Sequence, residues 1–259
     1  MNQAERRQFL IRSLLNERSD GRKWEIPREA AAQRQLLRGL MNVRAAEPCS
    51  AEFISIQDEY LRAAIAEKGV TDVNDLTPVQ KGLYLWQGDI TTLRCDAIVN
   101  AANSGMTGCY VPNHACIDNA IHTYAGVELR LACAEIMQRQ GYAEPTGRAK
   151  ITPAFNLPCR YVLHTVGPII ENLPTQRDCE LLRGCYRSCL ELAAENKLES
   201  IAFCCISTGI FHFPKEQAAE IAVRTVQDFL QKPTSVKRVI FNVFKDDDKA
   251  IYARLLRTA

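Results

Sequence analysis

Two thiols and an imidazole fall close together in the stretch Cys109-Tyr110-Val111-Pro112-Asn113-His114-Ala115-Cys116. Two thiolates and one imidazole are a suitable ligand set for zinc. His114 and Cys116, at i and i+2, can face the same way in an extended segment, while Pro112 stiffens the turn that brings Cys109 back. No second Cys or His pair lies nearby to complete a structural finger, so three protein ligands leave one coordination position open. An open zinc site can acidify water or polarise a substrate oxygen directly. The bland alternative is an incidental Cys-His-Cys in a cysteine-rich chain. Asp118 stands just beyond Cys116, at the start of an acidic helical stretch. It can orient water or sugar hydroxyls or act as a general base, and its rival role is helix N-capping. The His-x-Glu and Pro-Cys-x-x-Cys pattern of zinc deaminases is absent from the sequence.

Three further motifs lie where apolar runs hand over to loops. Asp89, in Gly88-Asp89-Ile90-Thr91, follows the run ending at Trp86-Gln87. A carboxylate there can accept from an exocyclic amine such as adenine N6, although a turn or N-cap aspartate explains it as well. Asn100-Ala101-Ala102-Asn103 pairs small residues, which allow close backbone approach, with two amides that offer donors and acceptors. Ser207-Thr208-Gly209-Ile210-Phe211 follows a buried-looking run and precedes Pro214, which opens a helix; its backbone N–H groups can form a nest for a diphosphate. Phe244, just past the last apolar run, reads as core when taken alone. His122 and His164 read as structural, and His212 as a surface residue.

The elements that must position these groups come from the rest of the chain. Its 259 residues are 47% hydrophobic and 24% charged, as in an ordinary globular protein. Residues 1–80 read as a helical extension, with stripes at Phe9, Leu10, Leu14 and Leu15, at Leu36, Leu37, Leu40 and Val43, and at Tyr60, Leu61, Ala64 and Ile65. Those stripes need burial, so docking against the following domain is expected. Over residues 81–259 the pattern predicts strands at 83–87, 96–100, 148–152, 161–166, 200–206 and 238–243. Helices are predicted at 117–140, 178–196, 214–231 and 247–257. Apolar strands divided by helices predict a three-layer α/β/α domain around a mixed, mainly parallel sheet, with its ligand in the crevice at the strands' carboxyl ends.

Composition also narrows the partners. A net charge of +2 with a pI near 8.0 is too mild to imply nucleic acid. No hydrophobic run approaches the ~20 residues of a membrane span, and the mixed-charge start is not a signal peptide. The expectation is a cytoplasmic protein whose eleven cysteines are mostly buried thiols, as at Cys185, Cys189, Cys204 and Cys205.

The order Gly88-Asp89-Ile90-Thr91, Asn100-Ala101-Ala102-Asn103, Asp118-Asn119-Ala120-Ile121-His122 and Ser207 to Phe211 resembles a macrodomain, the ADP-ribose-binding α/β module, from about Leu83 to the C-terminus. The loop with Cys109, His114 and Cys116 stands where ordinary macrodomains carry a glycine-rich loop, and it is similar to the zinc-containing microbial branch. The resemblance implies that Asp89 and Ile90 hold adenine, that Ser207, Thr208, Gly209, Ile210 and Phe211 wrap the diphosphate, and that Phe244 lies against adenine. It implies that Asn103 contacts the distal ribose and joins Asp118 in catalysis beside a zinc ion. The implied activity is hydrolysis of mono-ADP-ribose from modified protein side chains. The rival functions are a non-catalytic ADP-ribose reader with a structural zinc, and a phosphatase or deacetylase acting on free ADP-ribose derivatives.

Overall fold

The structure is a computed structural model that describes residues 1–258, the side chains of Arg22 and Thr258 excepted. Three helices open the chain: α1 (Gln3–Asn16), α2 (Ala30–Val43) and α3 (Ala51–Lys68). Asn2 and Glu5 form a capping box on α1, and the Ser50 side chain accepts from the Phe53 amide at the start of α3. The apolar stripes meet one another: Leu10, Ile11, Leu14 and Leu15 pack with Leu37, Leu40 and Met41 and with Phe53, Tyr60 and Leu61 in a core of their own. Phe9 and Leu36 lie at its edge, whereas Ile65 turns into the core of the sheet.

The sheet has six strands in the spatial order β2 (Leu83–Gln87), β8 (Arg238–Val243), β7 (Ser200–Phe203), β4 (Ala97–Ala102), β6 (Tyr161–Val166) and β5 (Ala149–Pro153). Every neighbouring pair is parallel except β5 with β6, at the edge. Helices α6 (Gln176–Glu195), α7 (Lys215–Leu230) and α8 (Asp246–Thr258) cover one face, and α4 (Ile117–Ala125) and α5 (Val127–Gln140) the other. The expected mixed, mainly parallel α/β architecture is therefore present. A parallel ribbon of β1 (Thr71–Asp72) and β3 (Leu93–Arg94), too short to show periodicity, stands apart from it. Among the described residues no helix is long and apolar enough to cross a membrane.

Three expected elements change. The helix read over residues 117–140 is two helices parted at Gly126, whose φ of 100° suits glycine alone. A Cβ at Gly126 would sit 2.7 Å from Gln57 Nε2, and Gln57 Oε1 accepts from the Val127 amide at 2.9 Å. The break is thus stabilised by α3. Strand β7 stops at Phe203 rather than Ile206, and β4 runs on to Ala102, where it still pairs with Val166.

Helices α2 and α3 rest on α4. Arg130 of α5 fastens the contact, donating to the carbonyls of Met41, Asn42 and Arg44 at the end of α2, where orphan carbonyls collect. All eleven cysteines are free. Leu10 is fully buried in the helical core, so Leu10→Ala is expected to cost about 2–5 kcal/mol. Urea unfolding measures this; a loss below 1 kcal/mol would show that the N-terminal core contributes little to folding.

Candidate functional site

Strands β2, β4, β7 and β8 are mutually parallel, so their carboxyl ends open onto one edge of the sheet. A cleft of about 700 Å³ lies there, within the ~300–1,000 Å³ usual for small-molecule sites. It is lined by Asp89, Ile90, Asn103, Cys109, His114, Cys116, Asp118, Ser207, Thr208, Gly209, Ile210, Phe211 and Phe244. The structure thus brings every candidate residue to one cavity. His212 is exposed and outside it, and Asn100 is buried within β4.

Asp89 lines the cleft. Its Oδ1 accepts from the Thr91 amide at 3.0 Å and the Thr91 hydroxyl at 2.6 Å, while Oδ2 pairs with Lys68 Nζ at 2.7 Å. Burial alone would push this carboxyl up, but Lys68 and Thr91 outweigh it and hold the group below the usual carboxylate range. Asp89 is therefore an N-cap and a cleft wall at once. Phe244 is 74% exposed, which excludes the core reading and leaves an aromatic ring at the rim.

The loop after β7 turns unpaired backbone donors to the cleft. Ser207 holds a left-handed φ of 64°, and its carbonyl accepts from the Phe213 amide at 2.9 Å, which folds the loop back on itself. Among the described residues no protein group accepts from the amides of Gly209, Ile210 or Phe211. Gly209 has open space where a Cβ would stand, leaving its backbone accessible to a ligand. Lys245 and Lys215, the latter paired with Asp247 and Asp248, also line the cleft.

Asp118 is buried in the first turn of α4. The N-cap is Cys116, whose sulfur accepts from the Asn119 amide at 3.4 Å, so the capping role proposed for Asp118 is taken by its neighbour. Asn100 Nδ2 donates to Asp118 Oδ1 at 2.8 Å and Asn103 Nδ2 to Oδ2 at 3.3 Å. Burial raises the Asp118 carboxyl to about 6 against the pull of these amides and of Arg130. Beneath it, His164 Nδ1 takes up Asn100 at 3.2 Å and Nε2 meets Thr152 Oγ1 at 3.0 Å. The expected pair of ligand-facing amides is thus divided. Asn103 reaches the cleft, while Asn100 spends its amide between Asp118 and His164. His122 Nε2 lies 3.6 Å from Asp118, but burial holds this histidine well below its ordinary pKa, so the contact is not an ion pair.

The loop of Cys109, His114 and Cys116 brings three potential metal donors together. One ligand atom from each of Cys109, His114 and Cys116 lies within 4.8 Å of the others, with Cys109 Sγ 3.6 Å from His114 Nδ1. Two sulfurs and an imidazole nitrogen at that spacing need only a small contraction to meet zinc's bond lengths of about 2.0–2.3 Å, so the residues fit the ion. Pro112 followed by Asn113 at φ 56°, with the His114 amide on Val111 O, forms the turn that returns the chain. Burial pushes the Cys116 thiol up to about 11. A second grouping, His122, Cys133 and His164, lies in the core, where both nitrogens of His164 already have partners.

Sequence reasoning missed Arg38, Lys68 and Tyr124 as cleft residues. Arg38 and Lys68 lie on helices whose charged residues look like solvated faces; Lys68 Nζ instead stands 3.4 Å over the Tyr124 ring. The available signal was Gly39, a glycine inside an otherwise continuous helical stripe.

Comparison with known proteins agrees with this geometry. The profile of the Macro domain family matches residues 99–222. A protein-ADP-ribose hydrolase of Treponema medium is 59% identical over 99% of this chain and 100% of its own length. A protein of the same name from Staphylococcus aureus (strain MRSA252) is 50% identical over 95% of this chain and 93% of its own. The crystal structure of the Trypanosoma brucei macrodomain in complex with ADP-ribose superposes with a TM-score of 0.65 at 32% identity, covering 83% of this chain and 94% of that one.

Burial lowers His164 to about 3, against an ordinary value near 6.5. As pH falls through 6.5 the unfolded chain takes up a proton that the folded chain refuses, so this residue removes about 1.4 kcal/mol of stability per pH unit until about 3. Urea midpoints between pH 7.5 and 5.5 should fall less steeply in His164→Gln than in the parent. Equal slopes would count against a neutral, buried imidazole.

Proposed function

The chain belongs to the macrodomain family, and we propose that it is a zinc-dependent hydrolase that removes mono-ADP-ribose from modified protein side chains. At the coarser level it is a protein-ADP-ribose hydrolase macrodomain that binds ADP-ribose. The observation that carries the finer reading is the convergence of Cys109, His114 and Cys116, two residues before Asp118, in the cleft that Asp89 also lines. Residues 81–259 form the macrodomain in this reading, and residues 1–80 a helical extension docked to it. The reducing cytoplasm suits a chain with eleven free thiols.

Each part of the ligand has a counterpart in the cleft. Asp89 accepts from the adenine amine, Ile90 packs beside the base, and Phe244 covers it. The free amides of Gly209, Ile210 and Phe211, flanked by Ser207 and Thr208, receive the diphosphate. Asn103 orients the distal ribose. Asp118, held by two amides, fixes a ribose hydroxyl or takes a proton from the attacking water as the anomeric bond breaks through an oxocarbenium-like transition state. Zinc on the three ligands supplies a Lewis acid.

The purified protein should carry about one zinc per chain, and Cys109→Ala and Cys116→Ala should lose it. Chelation should abolish release of ADP-ribose from mono-ADP-ribosylated protein while leaving ADP-ribose affinity nearly unchanged. Equal release with and without chelator would make the zinc structural, and no release from any linkage would favour a reader. Calorimetry of Asp89→Ala should show ADP-ribose binding weaker by about 1–3 kcal/mol, as expected when a buried donor loses its acceptor; unchanged affinity removes Asp89 from the adenine site.

A further inference from the structure

The metal loop has little order of its own. Among the described residues its internal backbone hydrogen bonds are Met106 N to Asn103 O and His114 N to Val111 O. Three ligands spread along such a segment would lose much chain entropy on gathering around an ion. Side chains of Asn103, Asn119 and Arg130 hold parts of the loop, and α2 reaches the residues next to and at a ligand. Arg38 Nη2 donates to the carbonyl of His114 at 3.0 Å, and Asn42 Oδ1 accepts from the amide of Asn113 at 2.9 Å. Asn42 is 1% exposed, and its Nδ2 is fixed on Thr123 Oγ1 at 2.9 Å.

The grip extends to a second ligand. Arg38 donates to Asn119 Oδ1 at 2.8 Å from Nη2 and 3.2 Å from Nε. Asn119 in turn donates through Nδ2 to Val111 O at 3.0 Å and through its backbone amide to Cys116 Sγ at 3.4 Å. Gly39, on the same helix, makes the approach possible: a Cβ there would lie 3.1 Å from Asn113 Nδ2 and 3.7 Å from Pro112 Cβ.

We propose that α2 is the template on which the metal centre is assembled, with Arg38 and Asn42 as positioning residues acting through the loop backbone at His114 and Asn113. The inference rests on reading Cys109, His114 and Cys116 as zinc ligands. Partners that orient metal ligands from outside typically account for a 10–100-fold change in metal affinity. The two α2 side chains hold the loop in its ligating shape before the ion arrives, so their loss should appear first in retention of the metal and then in turnover.

The test uses the full-length chain, with zinc affinity measured against a competing chelator well below the melting temperature. Arg38→Ala and Asn42→Ala should each bind zinc about 10–100-fold more weakly, with Arg38→Lys between Arg38→Ala and the parent. At limiting zinc, kcat should fall in these variants more than KM rises. Leu10→Ala, which loosens the N-terminal core without touching the loop, should lower the melting temperature and leave zinc affinity unchanged. Should Asn42→Ala fail to fold, Arg38→Ala and Arg38→Lys carry the test. Zinc affinity unchanged in Arg38→Ala overturns the proposal, as does a Leu10→Ala loss equal to that of Arg38→Ala. A parent that takes up no zinc, or a Cys116→Ala variant that keeps it, overturns the ligand reading and this inference with it.

Discussion

The first turn of α4 must carry a carboxylate out of water, and much of the surrounding structure follows from that. Asp118 receives amide protons from Asn100 and Asn103, which do not neutralise it as a cation in contact would. Desolvation therefore dominates, and the group stays near the middle of the accessible pH range. Below it the core could have supplied a positive charge, but burial keeps His122 and His164 neutral. Asn100 is the hinge of this arrangement. As an interior residue of the central strand it cannot turn to the ligand, and it transmits the fixed orientation of His164 to the carboxylate.

A second constraint is the meeting of two cores. The helical core of α1, α2 and α3 shares no residue with the core of the sheet, yet polar side chains cross the boundary between them. Arg130 binds the last carbonyls of α2 and also Thr107, and lies 4.2 Å from the centre of the Tyr110 ring, so one guanidinium ties the helix end to the start of the loop that carries Cys109, His114 and Cys116. Such bonds are directional where apolar packing is not. They set the register of the helices over the loop, whereas the leucines supply most of the burial.

The architecture was legible because its strands are short apolar runs with sharp ends. Leu83–Gln87, Tyr161–Val166 and Arg238–Val243 emerge with the bounds that their composition implies. The break at Gly126 was not legible, because Tyr124-Ala125-Gly126-Val127 continues a helical period and the group that occupies the break, Gln57, is remote in sequence. The loop ligands could be read together because they are neighbours along the chain. Arg38, Asn42 and Lys68 could not, since a charged or polar helix residue looks the same whether it faces water or another element. Asn100 was misjudged for a related reason: composition alone does not say whether the ladder stops at the amide that ends an apolar run or continues past it, as β4 does to Ala102.

The pairing of Lys68 with Asp89 has a consequence for recognition. A lone carboxylate at the mouth of a cleft swings between rotamers and projects a negative field that would repel a diphosphate. Here three donors clamp it, and the ammonium cancels its charge at short range. In the proposed ADP-ribose complex the base would therefore meet a rigid acceptor whose orienting entropy was already lost during folding, with little repulsion of the phosphates. Because the clamp is the last residue of α3, the helical extension fixes a wall residue of a cleft built mainly by the sheet.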